Sequence, residues 1–202
     1  MNIQRLTAQF GTLIAALVLA GACTSQAHGQ AGHPHGPTAQ QHEATADEQN
    51  SQAGALLKIV REATERFKDV NVAMAEGYLP QFGCVTGPDA GAMGLHFING
   101  PLVMKGDVDA QHPQIVIYEP LPNGQLKLIG ADFLVFADDW NKKNQGPPQL
   151  MGQLFHLFDT PNRFGLPAFY TLHVWAWKDN PNGAFVNWHP NVSCAPFSGQ
   201  VQ

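Results

Sequence analysis

Apolar residues recur at Leu56, Val60, Ala63, Phe67, Val70 and Met74, at alternating steps of four and three. That spacing puts them on one stripe and predicts a long amphipathic helix. Asn50 or Ser51 can cap its start, and Gly77 is placed to stop it. Beyond Gly77 the pattern changes to short apolar runs between turn residues. Residues 95–99, 114–119, 125–136 and 168–178 read as strands, and 150–158 fits either a short helix or a strand. Asn123-Gly124 between two of these runs predicts a hairpin of 115–119 with 126–136. The expected fold is α+β: one long N-terminal amphipathic helix packed on a mostly antiparallel sheet, in a single domain with many loops.

The last run carries Leu172-His173-Val174-Trp175-Ala176-Trp177. Strand alternation puts His173, Trp175 and Trp177 on one face and Leu172, Val174 and Ala176 on the other. An imidazole in a row with two indoles suits a walled pocket. His96, His156 and His189 have equally apolar or aromatic neighbours. A histidine among apolar groups needs a partner, which is backbone, a carboxylate or a metal ion. Asp132 interrupts the apolar run 128–136, where an acid is costly unless it pairs or faces water.

These residues predict a metal site built on His96 and His173, with Asp132 or Glu119 nearby, His156 as a third nitrogen, and Trp175 or Trp177 in the wall. If the Asn123-Gly124 turn closes symmetrically, Glu119 and Asp132 are distant in register, so their convergence needs a curved sheet or a third strand. The plainer alternative makes Asp132 a solvent-facing strand residue and gives each histidine one core hydrogen bond. No HxH, HExxH or CxxC spacing exists in the domain. Histidine with carboxylate suits zinc, copper or iron, and an exported chain favours copper or zinc.

Residues 1–22 read as a signal peptide, with Arg5 ahead of the apolar stretch Leu13-Ile14-Ala15-Ala16-Leu17-Val18-Leu19. Ala20-Gly21-Ala22-Cys23 resembles a bacterial lipobox and would make Cys23 the lipidated first residue. The other exit, after Ser25-Gln26-Ala27, would leave His28 at the terminus, similar to the copper-brace start of lytic polysaccharide monooxygenases. The lipobox exit is favoured. Residues 23–50 are polar and His-containing and read as a disordered tether, and 51–202 as the globular domain. Either exit leaves Cys84 and Cys194, whose simplest state in an exported chain is a disulfide. Closing a loop of about 110 residues stabilises by roughly 4–5 kcal/mol on the loop-entropy argument.

The net charge of −5 and only 11 Lys plus Arg argue against nucleic acid as a partner. Membrane contact is expected only through a lipid anchor, in the bacterial periplasm or at the cell surface. There is no Gly-x-Ser-x-Gly elbow for nucleophilic catalysis. Tyr78, Phe82, Trp140, Phe155, Phe158, Phe164, Phe169 and Trp188 could line an apolar cleft, or simply form core.

Several motifs together resemble an uncharacterised family of secreted bacterial proteins. They are Gly91-Ala92-Met93-Gly94-Leu95-His96, Leu172-His173-Val174-Trp175-Ala176-Trp177-Lys178-Asp179-Asn180-Pro181 and Asn191-Val192-Ser193-Cys194, with Phe67-Lys68-Asp69-Val70 and Tyr118-Glu119-Pro120. The resemblance implies export and a single domain, and marks His96 and His173 as motif residues without giving them a role. The expected function is transition-metal binding at a His/carboxylate site, for metal handling or sequestration. The alternatives are a metal-dependent periplasmic enzyme acting on a small molecule, or a binding module without metal.

Overall fold

The computed structural model describes residues 45–202 apart from Pro88. Helix α1 (Ala46–Thr64) starts earlier than the expected Asn50 or Ser51 cap and lies partly inside the segment read as tether. Thr45 is the cap. Its hydroxyl accepts from the Glu48 N–H, while the Glu48 carboxylate accepts from the Thr45 N–H, a reciprocal capping box. The expected single helix is broken: a 3-10 turn (Glu65–Lys68) follows α1, and α2 (Val70–Ala75) restarts after Asp69. The Asp69 carboxylate accepts from the Asn71 N–H, and this local bond competes with an unbroken helix. The break turns the stripe, so Leu56, Val60 and Phe67 are buried while Met74 is exposed. Gly77, at φ +92°, ends α2 as expected.

The strands are β1 (Tyr78–Gly87), β2 (Gly91–Asn99), β3 (Ile115–Pro120), β4 (Leu126–Phe136), β5 (Gln149–Leu150), β6 (Gln153–Leu154), β7 (His156–Phe158) and β8 (Phe169–Val174). Short helices α3 (Gly100–Lys105) and α4 (Ala137–Asn141) follow β2 and β4. Six strands form one sheet in the order β1-β2-β3-β4-β8-β7, with every pair antiparallel, and β5 pairs with β6 alone. The β3–β4 hairpin turns at Asn123-Gly124 as the sequence predicts, with the Leu121 N–H donating to the Gln125 carbonyl.

Cross-strand register fixes which residues share a face. Ala131, Phe133, Leu172 and Val174 lie on one face and pack with Leu56 and Val60 of α1. His173 is opposite Asp132, and Asp132 is opposite Ile115, on the other face. The two faces therefore divide labour: one receives α1 and the other carries the polar residues.

Cys84 and Cys194 are joined, with Cα atoms 5.7 Å apart. The C-terminal tail lies along β1: the Cys84 N–H donates to the Gln200 carbonyl and the Gln202 N–H to the Cys84 carbonyl. Tail and disulfide thus cover an edge that would otherwise offer unpaired backbone groups. The residues read as a signal peptide, Cys23, the alternative start at His28 and most of the segment read as a tether lie outside the described residues. Among the described residues no helix is long and apolar enough to cross a membrane.

Candidate metal centre

Three strands supply the polar cluster: His96 from β2, Asp132 from β4 and His173 from β8. One ligand atom from each lies within 4.8 Å of the others, and among the described residues this is the one group of three or more potential metal ligands. All three are buried, at 6%, 3% and 2% exposure. The Nε2 atoms of His96 and His173 are 3.4 Å apart, and His173 Nδ1 is 3.7 Å from Asp132 Oδ1. Two nitrogens bound to one tetrahedral ion at about 2.0–2.1 Å would be separated by about 3.3–3.4 Å.

The surroundings bear on the tautomers. His96 Nδ1, His173 Nδ1 and Asn187 Oδ1 are buried without a hydrogen bond of good geometry. Gly94 backbone acts on His96, and the Asn187 side chain acts on His173. Protons on both Nδ1 atoms would suit these two neighbours, as when an outer partner orients a ligating imidazole. The other tautomer of either ring gives an Nε2–H···Nε2 hydrogen bond; with both protons on Nδ1 the two Nε2 lone pairs face each other across 3.4 Å. That arrangement is repulsive unless a cation lies between them.

Protonation does not readily supply the cation. Burial pushes His96 down to about 4, with repulsion from His173 adding to it. Burial pushes His173 down to about 3, helped by His156. Both rings are therefore in the neutral, ligating form near neutral pH. Asp132 is raised to about 6 by burial, opposed by His96, by the Thr171 hydroxyl, which donates to Oδ1 at 2.5 Å, and by the Leu172 and Phe133 backbone. Thr171 stands two residues before His173 on the same face, so strand alternation could have identified it; nothing in the sequence pointed to Asn187.

The cluster borders a cavity of about 30 Å³, room for about one water molecule. Phe82, Phe158, Phe164 and Phe169 line it, as four of the eight expected aromatics; Tyr78, Trp140, Phe155 and Trp188 do not. Phe82 is held at φ +65°, unusual for a bulky residue, within a β1 bulge between Gln81 and Cys84. Its ring meets Phe164 at 5.4 Å.

Other expected members are elsewhere. Glu119 is four positions along β3 from Ile115, the partner of Asp132, and pairs instead with Lys127. Its carboxylate accepts two bonds from Lys178 Nζ, both 2.7 Å, so it is spent in a local ion pair. His156 is exposed on edge strand β7, opposite Thr171; it is close enough to influence His173 but is outside the cluster. Trp175 stacks on His173 with centroids 5.9 Å apart and supports that ring from behind without lining the cavity. Trp177 does not share its face. Strand β8 ends at Val174, the Ala176 N–H turns back to the Val174 carbonyl, and alternation stops. The Trp177 indole N–H donates to Thr64 of α1. His189 is satisfied at both ring nitrogens: Nε2 donates to the Asp179 carbonyl and Nδ1 accepts from the Asn191 N–H, each at 3.1 Å.

No family model, curated protein or solved structure matches the chain. The functional reading rests on the site's own chemistry.

Proposed function

We propose that the protein is exported and binds one transition-metal ion, copper or zinc, through His96, Asp132 and His173, in metal handling or sequestration. The observation that carries this reading is the pair of buried, neutral imidazoles whose Nε2 atoms stand 3.4 Å apart beside a buried carboxylate. Two nitrogens and one oxygen are a donor set for such ions. Export, lipidation at Cys23 and kinship with secreted bacterial proteins belong to the same proposal. They draw on the N-terminal pattern and motifs, and the Cys84–Cys194 disulfide is consistent with an oxidising compartment.

The test is metal content of untagged full-length protein carrying His28, His33, His35 and His42 replaced by Gln, so that the N-terminal histidines do not contribute. About one equivalent per chain is expected after loading and desalting, falling to background in His173→Ala and His96→Ala variants that retain the parent circular dichroism. Unchanged metal in a folded His173→Ala protein would return the cluster to a hydrogen-bonded core. A second reading, a metal-dependent enzyme, draws on the three-donor set, which would leave a coordination position facing the cavity.

A further inference from the structure

Met93 lines the same cavity as His96 and His173 and is 1% exposed. Its presence there needs a departure from strand alternation, because residues three apart on a regular strand point to opposite faces. The departure is a bulge in β2: Val85 pairs with Gly94 and Thr86 with Ala92, leaving Met93 as the extra residue. Gly94 makes this local path feasible. It sits at φ +93°, and a Cβ there would come within 2.6 Å of the Tyr118 carbonyl oxygen. The bulge brings a thioether to the cavity that the two imidazoles border.

Charge gives a second constraint. Among the described residues Asp132 is the one acidic residue lining the cavity and no lysine or arginine lines it, and an imidazole that ligates a metal does so in its neutral form. With Asp132 ionised, a monovalent cation makes the site neutral. A divalent cation leaves a net positive charge among apolar side chains, where uncompensated charge is heavily penalised. Two imidazoles and a thioether are also soft or borderline donors, and the thioether favours copper(I) over harder ions.

Resting on the metal-binding reading above, we infer that Met93 is a fourth donor and that the resident ion is copper(I). The shell is then closed by protein atoms, as metal handling requires, and the position that an enzyme would keep for water is filled.

The test uses the full-length chain with the four N-terminal histidines replaced by Gln, loaded anaerobically with copper(I) against a chromophoric copper(I) chelator, and separately with zinc. X-ray absorption at the copper edge should show nitrogen and one sulfur neighbour, and selenomethionine-labelled protein should show selenium in the sulfur's place. Met93→Leu should weaken copper(I) by at least about tenfold and change zinc affinity much less. The labelled wild-type protein gives an answer even if Met93→Leu fails to fold. Zinc or copper bound without a sulfur or selenium neighbour overturns the role of Met93 and leaves the metal-binding reading standing. Zinc held more tightly than copper(I) overturns the choice of ion. Binding of neither metal overturns both readings.

Discussion

Trp175 stands between two buried histidines in opposite states. It stacks on His173 at 5.9 Å and meets His189 edge-on at 5.0 Å. His189 is fully buried with both ring nitrogens bonded. His173 is as deeply buried, yet its Nδ1 lacks a good partner and its Nε2 faces another imidazole nitrogen. The flanking sequences, Leu-His-Val and Trp-His-Pro, do not distinguish them. The distinction lies in which polar atoms the fold brings to each ring, so burial of a histidine alone does not mark a site.

Five perturbations would break or sharpen that contrast. The largest effect should follow loss of the disulfide, because Cys194 is close in sequence to His189 and ties its segment to β1. Replacing both cysteines by Ala should cost about 2–5 kcal/mol in denaturant unfolding, and hydrogen exchange should rise first around 187–194. Earlier exchange at His96 and His173 would reverse the proposed division. Next, His189→Ala should cost about 2–4 kcal/mol through two lost hydrogen bonds and a cavity, while leaving bound metal unchanged. His173→Ala should do the converse in chelator-treated protein, costing less stability and abolishing metal binding. Equal metal loss in both variants would remove the contrast.

Acid should act on the cluster more than on the His189 region. In the unfolded chain both cluster histidines take up protons as pH falls through 6.5, whereas burial holds them neutral down to about 4 and about 3. Asp132 opposes this, since burial raises it to about 6 from 3.8, and the folded state takes that proton first. Between pH 6 and 4 the unfolded chain therefore holds about one more net proton, and metal-free stability should fall on acidification by roughly 1.4 kcal/mol per pH unit. Subtracting the profile of a His96→Gln/Asp132→Asn/His173→Gln variant isolates this slope, and a difference that is flat or of opposite sign contradicts it. The smallest stability effect should come from Asp132→Asn. In metal-free protein it should change unfolding by less than about 1 kcal/mol, because it removes a buried charge but keeps an acceptor for Thr171. Metal affinity should nevertheless fall at least about tenfold, as read by chelator competition.

Much of this framework was legible in the sequence. Asn123-Gly124 announced the β3–β4 hairpin, and two cysteines in an exported pattern announced the disulfide. His96 and His173 stood out because an imidazole within an apolar run demands a partner. The rest depended on tertiary geometry. No strand was expected over 78–87, where Pro80 and Gly83 interrupt any simple alternation; β1 accommodates them with Phe82 and Gly83 at positive φ in a bulge. Trp177 was misplaced because alternation was carried past the end of β8. Glu119 was included on chemistry, and the pairing of Ile115 with Asp132 places it away from the cluster. Met93 was unreadable as a cavity residue because a bulge changes which face a side chain occupies, and the sequence shows no bulge until the partner strand is known.

His96 and His173 are 77 positions apart, and both lie with Asp132 inside the loop of separation 110 closed by the disulfide. An extended chain holds no trace of their site. Local segments can form in microseconds, but these ligands meet only when distant strands β2, β4 and β8 have joined one sheet, which is among the slower events of folding. Assembly of the candidate site is therefore a late step of folding. An ion that captures a lone histidine earlier gains little affinity, whereas one that arrives afterwards meets all the donors already in place.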